Sequence, residues 1–428
     1  VIGWAIAQPI NCAVKAGEPG ACRRHLGCVI LRLIVGAEPG GEVTLKVEPL
    51  SINVDQAALD DLRARIRATR LPEPVPGQPW EYGTDLGYLR ELLAYWADEF
   101  DWRAQERDLA RFTHRQAEID GMRVHFVHER AVQGDGIPLL LGHGWPSTFL
   151  ELLPLVPLLT DPRAHGIDGP AFDLVIPSLP GYGFSDRPMR PMTYRDQAGL
   201  FHRLMRGLGY SRYGAGGGDF GAGIATFMAL DDPEPLIGLH LTNLELAPYL
   251  GPGSRPLTDA ERRYLDQAAE WDANERGYTA IQSTKPQTLS YGLTDSPAGL
   301  AAWILEKWRS WSDSGGNLES RFSRDFLLTT ITLYWLTGTI GSSIRDYSDN
   351  RRWQGEPRLG PDDFVRVPTA VAEFPHMFVP EGEPPREWAE RLYDVRRWTS
   401  MPRGGHFAPA EEPDLVARDI AQFFGALR

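Results

Sequence analysis

Cysteine is nearly missing: Cys12, Cys22 and Cys28 are the three in 428 residues, and none follows them. No disulfide framework can support the bulk of the chain, a usage expected of a cytoplasmic protein. A zinc site on these cysteines and His25 would need a ligand spacing they do not have, so no metal is expected. Long apolar runs are also missing. The most apolar stretch near the start, LGCVILRLIVGA, is twelve residues long and contains Arg32, whereas a membrane span takes about twenty. It is a poor signal peptide too, because the basic cluster Arg23-Arg24-His25 comes late and no small-residue cleavage site follows. Positive charge is scarce: 44 Lys and Arg stand against 57 Asp and Glu, for a net charge of −13. Nucleic acid and anionic membrane surfaces are therefore poor partners. The chain begins with Val, and residues 1–48 read as a poorly ordered leader.

What is present has ordinary globular proportions, 42% apolar and 24% charged, over a length suited to one large α/β domain with accessory segments. Thirteen tryptophans and fourteen tyrosines suit an aromatic-lined pocket. Val54, Leu59, Leu62 and Ile66 recur at helical spacing, LPEPVPGQPW ends that helix, and LGYLRELLAYWADEFDW predicts a second. So small a unit must lie against something larger. From about Phe112 the strands MRVHFVHE, IPLLLGHGW, FDLVIPSLPGYG and IGLHLTNL alternate with helices, which predicts a parallel sheet with crossover helices. Ligands in such sheets sit beyond the carboxyl ends of the strands, where His143, Tyr182 and Asp219 fall. Residues 246–350 break the alternation with helices DAERRYLDQAAEWDANERG, SPAGLAAWILEKWRSW and RDFLLTTITLYWLTG, and VPTAVAEF, PREWAERLYD and VRRWTSM then resume it.

The most informative absence is a serine. Gly217-Gly218-Asp219-Phe220-Gly221 has the outline of G-x-S-x-G, the strand-to-helix turn that raises a nucleophile, but holds an aspartate. Taken alone, Asp219 could simply cap the helix. Two other segments point to catalysis. GHGWPSTFLEL follows a buried strand, where the Trp145 N–H would join that of Phe220 in an oxyanion hole, with His143 holding the loop. RGGHFAPAEEP places His406 in a glycine-flanked loop before the last helix, and nucleophile first, histidine last is the order of this kind of site. A serine attacking saturated carbon would leave an ether, which water does not readily cleave. A carboxylate leaves an ester, so turnover is possible, and it is ionised at neutral pH without help. Asp219 therefore predicts displacement at sp³ carbon, with an epoxide or alkyl halide as substrate.

Together HGWP, GGDFG, IQSTKPQTLSYGLTDSPAGLAAWILEKW, LYWLTGTIGSSIRDYSDN and RGGHFAPAEEP resemble the microsomal-type epoxide hydrolases, and INVDQAALDDLRARIRATRLP is similar to their N-terminal domain. The resemblance runs from about Glu48 to the C-terminus. It implies an α/β hydrolase fold, a mostly parallel sheet flanked by helices, with an inserted helical cap and an N-terminal helical wrapping segment. The expected divisions are leader 1–48, N-terminal segment 49–115, core 116–245, cap 246–350 and core 351–428. Asp219 matches the nucleophile and His406 the general base. Tyr347 matches the proton donor and Tyr278 the second donor to the epoxide oxygen, with Trp145 and Phe149 expected to line the substrate. No cofactor is implied; the partners are a small-molecule epoxide and water. One position departs: the family has Glu or Asp in F-P-x-(E/D) to orient the histidine, and here the run is Phe374-Pro375-His376-Met377. Glu373, Glu381 and Glu383 are the candidates to replace it. Alternatives are a haloalkane or haloacid dehalogenase, which would need indole or other halide donors, and a hydrolase-fold binding protein deficient in turnover. Trp303, Trp308, Trp311 and Trp335 suggest an aromatic cap.

Overall fold

The structure, a computed structural model, describes residues 45–353, 359–377 and 384–428. Most of the expected leader, with Cys12, Cys22, Cys28 and His25, lies outside the described residues, as do Glu381 and Glu383. Among those described, nine strands form one sheet: β1 (Val47–Pro49), β2 (His114–Ile119), β3 (Met122–Glu129), β4 (Ile137–Gly142), β5 (Phe172–Pro177), β6 (Tyr213–Gly217), β7 (Leu236–Leu241), β8 (Val365–Glu373) and β9 (Tyr393–Ser400). Their order is β1-β2-β3-β5-β4-β6-β7-β8-β9. The β1–β2, β2–β3 and β3–β5 pairs are antiparallel, and every pair from β5 to β9 is parallel. Asp120 and Gly121, both at positive φ (52° and 77°), join β2 to β3 in the tight hairpin that an Asp-Gly pair favours.

β4 and β5 are apolar along most of their length because both faces of the sheet are covered. One face packs the helices Tyr194–Gly207 and Phe220–Asp231, and the other Leu155–Thr160 and Pro413–Ala426, in two separate apolar clusters. Thr193 and Asp196 close a reciprocal capping box on the first of these helices.

Between β7 and β8 the described residues form six α-helices: Asp259–Glu275, Gly277–Thr284, Pro286–Asp295, Pro297–Ser310, Arg324–Thr337 and Ile340–Trp353. The sequence reading finds three of these. Of the others, Gly277–Thr284 and Pro286–Asp295 are short and lie end to end, with proline starting the second, so neither carries a long apolar period. In the N-terminal segment the second expected helix ends at Asp98 (Leu86–Asp98), and a further helix not read from the sequence, Trp102–Leu109, follows it, where Asp101 caps it by accepting from Arg103 N–H. These helices lie on the inserted ones: Thr84 Oγ1 donates to the Ala302 carbonyl at 2.6 Å, and Trp96 Nε1 to Thr332 Oγ1 at 2.9 Å. No described helix is long and apolar enough to cross a membrane.

Candidate active site

Parallel pairing puts the carboxyl ends of β4 to β9 on one edge, and the candidate residues leave the sheet there. Asp219 follows β6 in a backbone conformation of φ 50°, ψ −130°, one that non-glycine residues rarely adopt and that is held only where surroundings enforce it. The enforcement is visible. Asp219 N–H donates to Asn243 Oδ1 at 2.6 Å, just beyond β7. A methyl group on Gly144 would overlap the Asp219 carboxylate, and one on Gly221 would overlap the Gly142 carbonyl. Glycine there lets the helix Phe220–Asp231 approach β4 closely enough to carry the turn.

The Asp219 carboxylate is asymmetrically held. Oδ1 accepts the N–H of Trp145 at 3.0 Å and of Phe220 at 2.8 Å, whereas Oδ2 faces His406 Nε2 at 3.4 Å. Asp219 is 8% exposed and His406 6%, so water does not dilute these interactions. His143 holds the loop as expected: Nε2 accepts Leu179 N–H at 3.2 Å and Nδ1 lies 3.1 Å from the Gly144 carbonyl. Burial pushes its imidazole down to about 4, so it is neutral and supports the loop without competing as a base.

Tyr278 and Tyr347 arrive on separate inserted helices yet meet over this point. Their ring centroids are 5.9 Å apart, and the Trp145 indole lies 5.7 Å from the first and 5.8 Å from the second. Tyr347 also sits 5.0 Å from Phe220. Burial, then Tyr278 and the Asp219 charge, hold the Tyr347 phenol well above its ordinary range, so it keeps a proton to donate. Lys307, buried on Pro297–Ser310, places Nζ 4.6 Å from the Tyr278 ring centre, and Trp311 packs 5.3 Å from both Tyr278 and His406.

Some expectations move. Phe149 does not join this aromatic cage. It is fully buried in the other apolar cluster, against His125 at 4.9 Å and His114 at 5.7 Å, because the 3-10 turn Phe149–Leu152 directs it under the sheet edge. Met377 is half-buried against that same cluster. Its loop nevertheless reaches the histidine loop, for His376 N–H donates to the Gly404 carbonyl at 3.2 Å. Glu373 accepts from Ser400 Oγ at 2.7 Å and Trp398 Nε1 at 3.4 Å at the end of β9, which commits it away from an orienting role. Asn243 and Lys307 went unnoticed in the sequence. Asn243 was findable, since it follows a strand at the ligand edge; Lys307 sits in a helix whose apolar neighbours only hint that it is buried.

Residues 47–152 match the family described as epoxide hydrolase N terminus, and residues 137–292 match alpha/beta hydrolase fold. Epoxide hydrolase 1 of Sus scrofa is 37% identical over 418 residues, covering 92% of this chain and 91% of that protein. The crystal structure of juvenile hormone epoxide hydrolase from the silkworm Bombyx mori is 32% identical with a TM-score of 0.76, covering 90% of this chain and 94% of that one. The structure of Aspergillus niger epoxide hydrolase is 28% identical with a TM-score of 0.77, covering 90% and 97%. An aspartate on a strained turn, a histidine on its free oxygen and two tyrosines above it are thus set in a chain whose relatives share its length and fold, and it belongs to the microsomal-type epoxide hydrolase family, with epoxide hydrolysis as its activity.

Proposed function

We propose that this enzyme opens epoxides to vicinal diols through a covalent ester on Asp219. Oδ2, the oxygen without backbone donors, attacks a ring carbon as the carbon–oxygen bond breaks, and Tyr347 with Tyr278 donates to the departing oxygen. Oδ1 becomes the ester carbonyl, already seated on the Trp145 and Phe220 N–H groups. His406 Nε2 then takes a proton from water, whose oxygen adds to that carbonyl carbon. The oxyanion collapses, the alcohol leaves with the proton held by His406, and the proton of the new Asp219 carboxyl returns to the tyrosine that protonated the epoxide oxygen, restoring both groups. The observation that carries this reading is the division of the carboxylate, two N–H groups on Oδ1 and the imidazole on Oδ2. For the carboxylate that orients His406, Glu381 and Glu383 stand ahead of the already engaged Glu373. Residues 246–350 act as the cap, and the cysteine distribution supports a cytoplasmic location.

A dehalogenase would use donors such as the Trp145 indole, whose Nε1 is buried with no acceptor among the described residues. The facing tyrosines favour an epoxide oxygen. Repeated turnover of a small panel of epoxides in ¹⁸O-water should place label in the Asp219 carboxylate and release diol, and Asp219→Asn should do neither. Undiminished diol from that variant, with deamidation excluded, overturns the mechanism, as does halide release from alkyl halides without action on epoxides. A stable adduct without diol would indicate a trap.

A further inference from the structure

One carboxylate joins the histidine loop to the helical segment above the sheet. Glu411 Oε1 accepts the N–H of Phe407, the residue after His406, at 3.0 Å, and its Oε2 accepts the N–H of Asp313 at 2.7 Å. Asp313 lies just past Trp311, whose carbonyl accepts His406 N–H at 2.8 Å. The Asp313 side chain returns the link by accepting Gly404 N–H at 3.0 Å, while Arg321 donates to it at 2.9 Å. The backbone on both sides of the base is thereby tied to the element carrying Trp311, which also packs on Tyr278.

We propose that Glu411 is a positioning residue for the hydrolytic half-reaction: its carboxylate locks the His406 loop to Asp313, so that Nε2 stands over the ester formed on Asp219. This rests on the epoxide hydrolase mechanism above. The arrangement needs a strong acceptor at both oxygens, which an ionised carboxylate supplies, whereas a protonated one keeps a strong acceptor only at its carbonyl oxygen. Glu151, on the turn Phe149–Leu152, is buried near enough for the Glu411 charge to act on it, and its carboxyl is pushed up to about 8, chiefly by burial. Burial raises Glu411 to about 7 against the opposing pull of its two N–H donors. Asp313 and Arg321 face it from the inserted helical segment; His406, Arg403 and Glu412 lie in its own loop, where Glu412 accepts from both arginines. Glu151 thus holds a proton at neutral pH, and Glu411, where the donors are, ionises before it.

The test separates the half-reactions with one epoxide in single turnover, following the Asp219 ester by mass spectrometry and the diol by chromatography. Glu411→Gln turns an amide NH₂ toward one of the two N–H donors. Ester formation should stay within about threefold of the parent, while ester hydrolysis slows roughly ten- to a hundredfold and the ester accumulates. Equal slowing of both steps, or unchanged hydrolysis, overturns the proposal. If Glu411→Gln does not fold, Glu411→Asp decides by the same separation of steps: its shorter carboxylate cannot reach both N–H groups, so ester hydrolysis should slow with ester formation kept, and equal effects on both steps overturn the proposal. An unaltered enzyme that forms no diol from any epoxide fails the mechanism itself, an outcome distinct from a normal enzyme with a silent Glu411.

Discussion

Glu151 keeps a proton that an exposed glutamate would release. Burial is the main cause, the Ser147 hydroxyl opposes it, and the charges of Asp219 and Glu411 add to it. Its neutrality leaves Asp219 free of a second close negative charge. The cost appears in stability. Between the ordinary value of 4.5 and about 8, an unfolded chain gives up this proton while the folded one retains it, so stability falls as pH rises through that window. Glu151→Gln removes the titration. Its stability relative to the parent should be greater at pH 8.5 than at pH 5 by roughly 3 kcal/mol, read from urea midpoints at the two pH values. An equal difference at both would show that Glu151 is not held neutral. Nothing in STFLEL announces this burial, just as nothing there shows Phe149 turning away from the substrate. Both depend on how the short turn Phe149–Leu152 is tilted. The nucleophile was different, because its chemistry is written in one residue type amid glycines.

At the scale of elements, the elbow is a close approach between one strand and one helix. Gly221 meets Gly142 with their Cα atoms near enough that a Cβ on Gly221 would fall 2.9 Å from Gly142 Cα and overlap its carbonyl. Gly221→Ala must push the helix Phe220–Asp231 off β4 and carry the Phe220 N–H away from Oδ1. We expect a loss of about 1–3 kcal/mol in stability and about a hundredfold in diol formation. Circular dichroism melting and steady-state assays would check this, and a variant of full activity would show that the turn tolerates separation. The strand–turn–helix here was readable from composition and spacing. The hairpin β2–β3 was half-readable: its Asp120-Gly121 turn is a strong signal, but HRQAEI lacks the apolar alternation that marks a strand. The short helices Gly277–Thr284 and Pro286–Asp295 were not read, because amphipathic periodicity needs several turns to rise above composition.

Across the whole molecule, the N-terminal helices brace the part that carries the tyrosines. Leu59, Leu62, Trp96 and Trp102 belong to the same apolar cluster as Trp308, Tyr334 and Tyr278. Trp96→Phe deletes the indole N–H that donates to Thr332 Oγ1 in the fully buried joint and leaves a void beside it. A loss of about 2–4 kcal/mol in a urea unfolding experiment is expected; an unchanged midpoint would mean that the segment merely rests on the surface. The sequence by itself determined the reaction class, the order of nucleophile before histidine and the alternation that builds a parallel sheet. Each of these depends on residue type or on spacing along the chain. Only the tertiary structure decided that Oδ1 and Oδ2 of Asp219 have different partners, that Tyr278 and Tyr347 meet above them, and that Glu373 is committed elsewhere. These are contacts between segments many residues apart, set by how closely β4, β6 and the inserted helices pack, and packing distances are not encoded in any local pattern.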